Sequence, residues 1–121
     1  MEKERKYDLE DRLVKFAILI LEVCDLLPGS KAGQNLEHQL SRSGTAPALM
    51  YGEAQAAESR NDFIHKIKIL LKELRETRIS LRIIDEKPLI VHDKVKGALK
   101  ECNELIGIFS KSVQTAKSNR I

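Results

Sequence analysis

An all-α, antiparallel up-down-up-down four-helix bundle is the fold class that this sequence predicts, on three observations. Apolar residues recur at steps of three and four along four successive segments, the spacing that lines one face of a helix. The breaks between those segments are short, and long helices joined by short connections place neighbours side by side in opposite directions. Six Gly and three Pro among 121 residues are too few for the many turns of a sandwich or barrel, and no alternating strand pattern competes. A chain of this length makes one domain, residues 1–121, with helices expected at roughly 8–27, 31–58, 60–85 and 88–116.

In the first helix Leu9, Leu13, Phe16, Ile20, Cys24 and Leu27 form the apolar face. Pro28-Gly29 stops it, since proline cannot continue the backbone ladder and glycine accepts the dihedrals of a helix end. Ser30 is placed to cap the second helix, whose buried side carries Leu36, Leu40 and Ser43. From Ser43 to Ala57 small residues dominate, and they let another helix approach closely. Pro47 inside that stretch predicts a kink or break near Gly44.

Ser59-Arg60-Asn61-Asp62 reads as a capping box opening the third helix. Phe63, Ile67, Leu70, Leu74, Thr77, Leu81 and Ile84 then alternate by four and three, the narrow seam of a bundle. Asp85-Glu86-Lys87-Pro88 is the expected turn, with Pro88 at the first position of the fourth helix. That helix carries Val91, Val95, Ala98, Cys102, Leu105, Phe109 and Val113, and the pattern fades from Ala116 to Ile121, where fraying is expected.

These rods carry more apolar surface than one copy can bury. The first is apolar almost all round from Phe16 to Leu21, and the third adds Ile64, Ile69, Leu71, Ile79 and Ile83 outside its seam. A bundle helix buries one stripe, and a second left bare exceeds what soluble monomers tolerate, so self-association is expected.

Composition narrows the function. Charged residues are 32% of the chain and the net charge is +3, a mildly basic balance that permits nucleic acid without demanding it. Aromatics are 4% and Trp is absent, which argues against a platform of stacked rings for single strands. The charged opening Met1-Glu2-Lys3-Glu4-Arg5-Lys6 lacks the apolar stretch of a signal peptide, and the longest apolar run, Phe16 to Leu21, is far short of a ~20-residue span. A cytoplasmic protein that neither enters nor crosses a membrane is expected, with Cys24 and Cys102 as buried, reduced thiols.

Reactive constellations are not evident. A di-iron bundle needs Glu-x-x-His on two helices, and the nearest match is a single Asp62-x-x-His65, with no counterpart at His38 or His92. Both cysteines lie within apolar helical patterns with no nearby base to lower a thiol pKa, and neither Gly29-Ser30-Lys31 nor Arg42-Ser43-Gly44-Thr45 has the glycine spacing of a phosphate loop. The expectation is no enzyme, no metal, no cofactor and no small-molecule substrate. Charge supplies the functional clue instead. Lys68, Lys72, Arg75 and Arg82 share one side of the third helix and, with Arg78, make a candidate contact surface for the phosphates of RNA or DNA, salt-dependent and blind to sequence. The competing expectation is a solvated face with local pairs such as Lys72 with Glu76.

Two stretches have the character of a family signature. They are Arg42-Ser43-Gly44-Thr45 with Gly52-Glu53-Ala54-Gln55, and Ala57-Glu58-Ser59-Arg60-Asn61-Asp62-Phe63-Ile64-His65-Lys66 running into Lys72-Glu73-Leu74-Arg75-Glu76-Thr77-Arg78. Together they resemble the bacterial four-helix-bundle family of 23S rRNA intervening sequence proteins, over roughly Tyr7 to Val113. The resemblance implies an antiparallel bundle assembled as a homopentamer, with nucleic-acid or ribonucleoprotein partners and no established catalysis. The chain departs from the usual pattern at Met50, where members commonly carry Asn, and at Ile79-Ser80, where a Tyr-Trp pair is common. The signature residues Arg42, Glu53, Ser59, Asp62, Lys66, Glu73 and Glu76 also have a purely structural account: caps, close crossings and ion pairs between helices. A protein-interaction scaffold with no nucleic-acid role is the alternative function.

Overall fold

The computed structural model describes residues 8–118. Among these residues there are four helices and no strand: α1 Leu9–Leu26, α2 Lys31–Gln55, α3 Arg60–Glu86 and α4 Asp93–Ser118. Each of the first three begins with a side chain accepting from an amide three residues on. Asp8 Oδ1 accepts from Asp11 N at 3.0 Å, Ser30 Oγ from Gly33 N at 3.2 Å, and Ser59 Oγ from Asp62 N at 3.0 Å. Such caps satisfy donors that the helix itself leaves unbonded.

The core is one cluster to which all four helices contribute, including Leu13, Phe16 and Ile20 of α1, Leu40 of α2, Ile67, Leu74 and Leu81 of α3, and Val95, Leu105 and Phe109 of α4. Helices α1 and α3 each pack against both α2 and α4, and share no close backbone contact with one another. They therefore stand on opposite sides of the core. Cross-helix contacts fix the relative heights. Arg12 near the start of α1 meets Glu101 and Glu104 of α4, whereas Glu22 near the end of α1 meets Lys94 at the start of α4. Asp85, at the end of α3, likewise meets Lys96.

Several sequence expectations change. Helix α2 runs unbroken through Pro47 rather than breaking near Gly44. Pro47, which lacks the backbone donor, is buried inside this helix. The same helix stops at Gln55 instead of 58, because Ala56 N donates to Glu53 O at 3.1 Å and Ala57 N to Ala54 O at 3.1 Å, turns too tight to continue the ladder. Helix α4 begins at Asp93, not at Pro88. Leu89 N donates to Ile84 O at 2.9 Å and His92 Nδ1 accepts from Lys94 N at 3.1 Å, so an imidazole holds the start of α4 where a proline was expected. Val91 accordingly lies in the connection, exposed, rather than on the buried face.

Of the five apolar residues outside the α3 seam, Ile64 and Leu71 are buried, Ile69 is half-buried, and Ile79 and Ile83 are exposed. A helix flanked by two neighbours buries a wider arc than a narrow seam, and this arc takes in Ile64 and Leu71. Ala116 to Ser118 remain helical. The rest of the expected frayed tail, residues 119–121, and the charged opening, residues 1–7, lie outside the described residues.

Small residues of α2 divide by position. A methyl group added at Gly44 would lie 2.5 Å from Cγ2 of Ile20, so α1 and α2 cross here as closely as a bare backbone allows. Gly52 has open space around it and, like Ala56, faces solvent. Of the predicted packing surface, Ser43, Gly44 and Ala54 are buried and Thr45, Ala46, Ala48 and Ala57 half-buried, while Gly52 and Ala56 are open.

Candidate nucleic-acid interface

Helix α3 displays Lys68, Lys72, Arg75 and Arg82 on its exposed side, at spacings of four, three and seven that keep them on one face. Arg78 stands apart. It is half-buried and close enough to α4 for its charge to act on the Cys102 thiol. Local carboxylates engage part of the face: Lys72 Nζ lies 3.7 Å from Glu76 and 3.8 Å from Glu73, and Arg82 Nε lies 2.8 Å from Glu86. The hydrogen bond to Glu86 raises the Arg82 pKa, with the carboxylate charge acting in the same sense. Such exposed pairs hold weakly, typically ~0.2–1 kcal/mol, and a phosphate can displace them. Lys68 and Arg75 have no carboxylate partner among the described residues.

The signature residues tie helices together. Arg42 of α2 reaches Glu73 at 3.4 Å and Glu76 at 3.1 Å, both on α3, and Lys66 of α3 reaches Glu53 of α2 at 3.0 Å. Hydrogen bonding to Glu53 raises the Lys66 pKa. Ser59 caps α3 on the amide of Asp62. Beneath them, buried Thr77 and Ser43 hydroxyls lie 2.9 Å apart, and Thr77 Oγ1 lies 2.8 Å from Glu73 O. One hydroxyl proton cannot serve both, so Thr77 donates to the carbonyl and accepts from Ser43. The signature ion pairs therefore form a seam of α2 against α3 that borders the outer basic face, where Glu73 and Glu76 also approach Lys72.

Sequence reasoning missed Arg12. Its guanidinium forks onto Glu101 at 2.7 and 2.9 Å and reaches Glu104 at 2.8 Å, closing α1 on α4. The hydrogen bond to Glu101 raises its pKa against the opposing effect of burial, and Glu104 adds to the rise. The partners are some ninety residues away, so no local pattern could have shown the clamp.

Both thiols are buried and free. Cys102 Sγ donates to Leu74 O at 3.2 Å and Cys24 Sγ to Glu37 O at 3.8 Å. Burial pushes Cys102 up to about 12 and Cys24 up to about 11, far from the lowered value a nucleophile needs. Among the described residues no group of three His, Cys, Asp or Glu could hold a metal ion, and no helix is long and apolar enough to cross a membrane.

The family model for 23S rRNA-intervening sequence protein matches residues 5–111. The chain belongs to that family. No curated protein matches this family member. Among solved structures, it is similar to a protein of unknown function from the S23 ribosomal protein family of Bacteroides thetaiotaomicron VPI-5482, at TM-score 0.79 and 27% identity, covering 86% of this chain and 96% of that one. Where this member departs from the usual pattern, Met50 is half-buried and Ser80 is buried, while Ile79 lies bare in the middle of the basic face.

Proposed function

We propose that this 23S rRNA-intervening sequence protein is a cytoplasmic, non-enzymatic, antiparallel four-helix bundle, assembled as a homopentamer, that serves as a nucleic-acid or ribonucleoprotein accessory through the outer face of α3. The carrying observation is that Lys68, Lys72, Arg75 and Arg82 share one exposed face on which Lys68 and Arg75 have no carboxylate partner among the described residues. Opposed cross-helix pairs, Arg12 with Glu101 and Glu22 with Lys94, support the antiparallel arrangement. The family's own description supports an RNA setting.

Phosphate contacts release counterions, so affinity should fall steeply with salt, by a log–log slope of about −0.7 to −0.9 per phosphate neutralised. Titrating labelled RNA and DNA from low to moderate salt tests this. Lys68→Gln with Lys72→Gln should weaken binding several-fold and flatten the slope without changing particle mass. Binding indifferent to salt, or none at low salt, contradicts the proposal. Ile79 and Ile83, bare within the same face, favour a second reading, a scaffold that holds protein rather than nucleic acid. A stoichiometric protein partner retained after nuclease treatment would select it.

A further inference from the structure

Apart from Leu26 and Leu49, the exposed large apolar residues of the helices fall into two stripes. Val14, Ile18 and Leu21 of α1, 42%, 50% and 44% exposed, make one stripe at helical spacing, and Ile79 and Ile83 of α3, each 49% exposed, make another. Because α1 and α3 lie on opposite sides of the core with no close contact between them, the stripes cannot cover one another within one copy.

They stand at the same height. Arg12 is level with Glu101 and Glu104 of α4, and Cys102 is level with Leu74, so Arg12 and Leu74 share a height. Glu22 is level with Lys94, and Asp85 with Lys96, so Glu22 and Asp85 share another. Both stripes fall between these two heights, and Lys68 and Lys72 fall outside them.

Charge distinguishes the two faces. The exposed acids of α1 are Glu10, Asp11, Glu22 and Asp25, with Lys15 as the exposed base. The outer face of α3 carries Lys68, Lys72, Arg75 and Arg82 with Glu86. Placing α1 on α1, or α3 on α3, sets like charges together, whereas α3 on α1 sets opposite charges together, with Lys72 and Arg75 on either side of the height of Asp11. On α2, Thr45, Ala48 and Gly52 are small and lie at helical spacing, with exposed Leu49 alongside them, and Gly52 has open space around it.

We infer that a second copy of this chain lays Ile79 and Ile83 of its α3 against Val14, Ile18 and Leu21 of α1, a head-to-tail contact between two different faces. The inference rests on the self-association in the proposed function and deepens it by assigning the faces. Contacts between unlike faces propagate, closing into a ring or running on as a filament. The same contact places Lys72 and Arg75 near the neighbour's Glu10 and Asp11 and Arg82 near its Glu22, so Lys68 is the member of the basic face that stands furthest from the neighbour's apolar stripe.

The test mixes two full-length variants, each with one face spoiled: Ile79→Glu with Ile83→Glu, and Val14→Glu with Ile18→Glu. Alone, each should run as a 13.7 kDa particle in light scattering, with its helical circular dichroism intact. An equimolar mixture should form a complex of twice that mass, since one variant keeps a sound α1 face and the other a sound α3 face. Either variant pairing with itself, or a mixture that stays monomeric, overturns the inference. Should a double variant lose its helical signal, Ile79→Gln and Ile18→Gln replace the pairs in the same mixing experiment. The salt titration on Lys68 and Lys72 is read separately, so loss of the nucleic-acid role would leave this result standing, and the reverse.

Discussion

The two sides of α3 use the same residue types for opposite ends. Ile67 and Ile84 are fully buried, whereas Ile79 and Ile83 are half bare among arginines and lysines. α2 repeats the contrast with glycine: Gly44 is pressed against Ile20, while Gly52 has nothing near it. An apolar or a small residue in this protein thus has two meanings, and its angle around the helix decides between them. The inner set holds one copy together; the outer set is available to another molecule.

The largest expected effect comes from the inner side. Leu74→Ala should cost about 2–5 kcal/mol, read by denaturant unfolding at fixed protein concentration, because a rigid core collapses poorly onto the space left. Gly44→Ala should cost about 1–3 kcal/mol, since the added methyl meets a branched side chain in the core. An effect near zero for either would show that the two sides are not distinct.

Alkaline pH gives a further handle on the inner side. Thiols held above their ordinary value of 9.0 stay protonated in the folded chain while the unfolded chain loses its protons. Their stabilising contribution is complete below pH 9 and falls as pH rises from 9 toward about 11 for Cys24 and about 12 for Cys102. Melting temperature should therefore drop between pH 8 and pH 10 by more in the parent than in a Cys24→Ala, Cys102→Ala variant.

Outer changes should be smaller. Gly52→Ala should stabilise by about 0.5–1 kcal/mol, because the helix gains propensity and the methyl meets nothing. Arg42→Ala, which takes the guanidinium from buried Glu73 and half-buried Glu76 and leaves Lys72 within 3.8 Å of Glu73, should cost about 0.5–1.5 kcal/mol in the same unfolding measurement.

The inner seam was legible in the sequence because its signal is periodic: Ile67, Leu70, Leu74, Thr77, Leu81 and Ile84 are all buried. The Ser30 and Ser59 caps were legible as well, since a cap is decided within three residues. The start of α4 was not. Pro88 satisfied a local preference, but the Leu89 bond to Ile84 and the His92 cap decided the matter. The division of the surplus apolar residues needed the angle of each around α3, which a stepwise count of threes and fours blurs. Of the basic face, four members were correctly grouped on one side. Arg78 was already off that side by its spacing, but its half-burial and its approach to Cys102 depend on how α4 packs.

One measurement reaches the account most directly: the mass of the unaltered chain by light scattering over a range of micromolar concentrations. A well-defined multiple of 13.7 kDa, five-fold for the homopentamer, is the result predicted. A particle of 13.7 kDa at every concentration would mean that the outer apolar stripes face only water, and would contradict it.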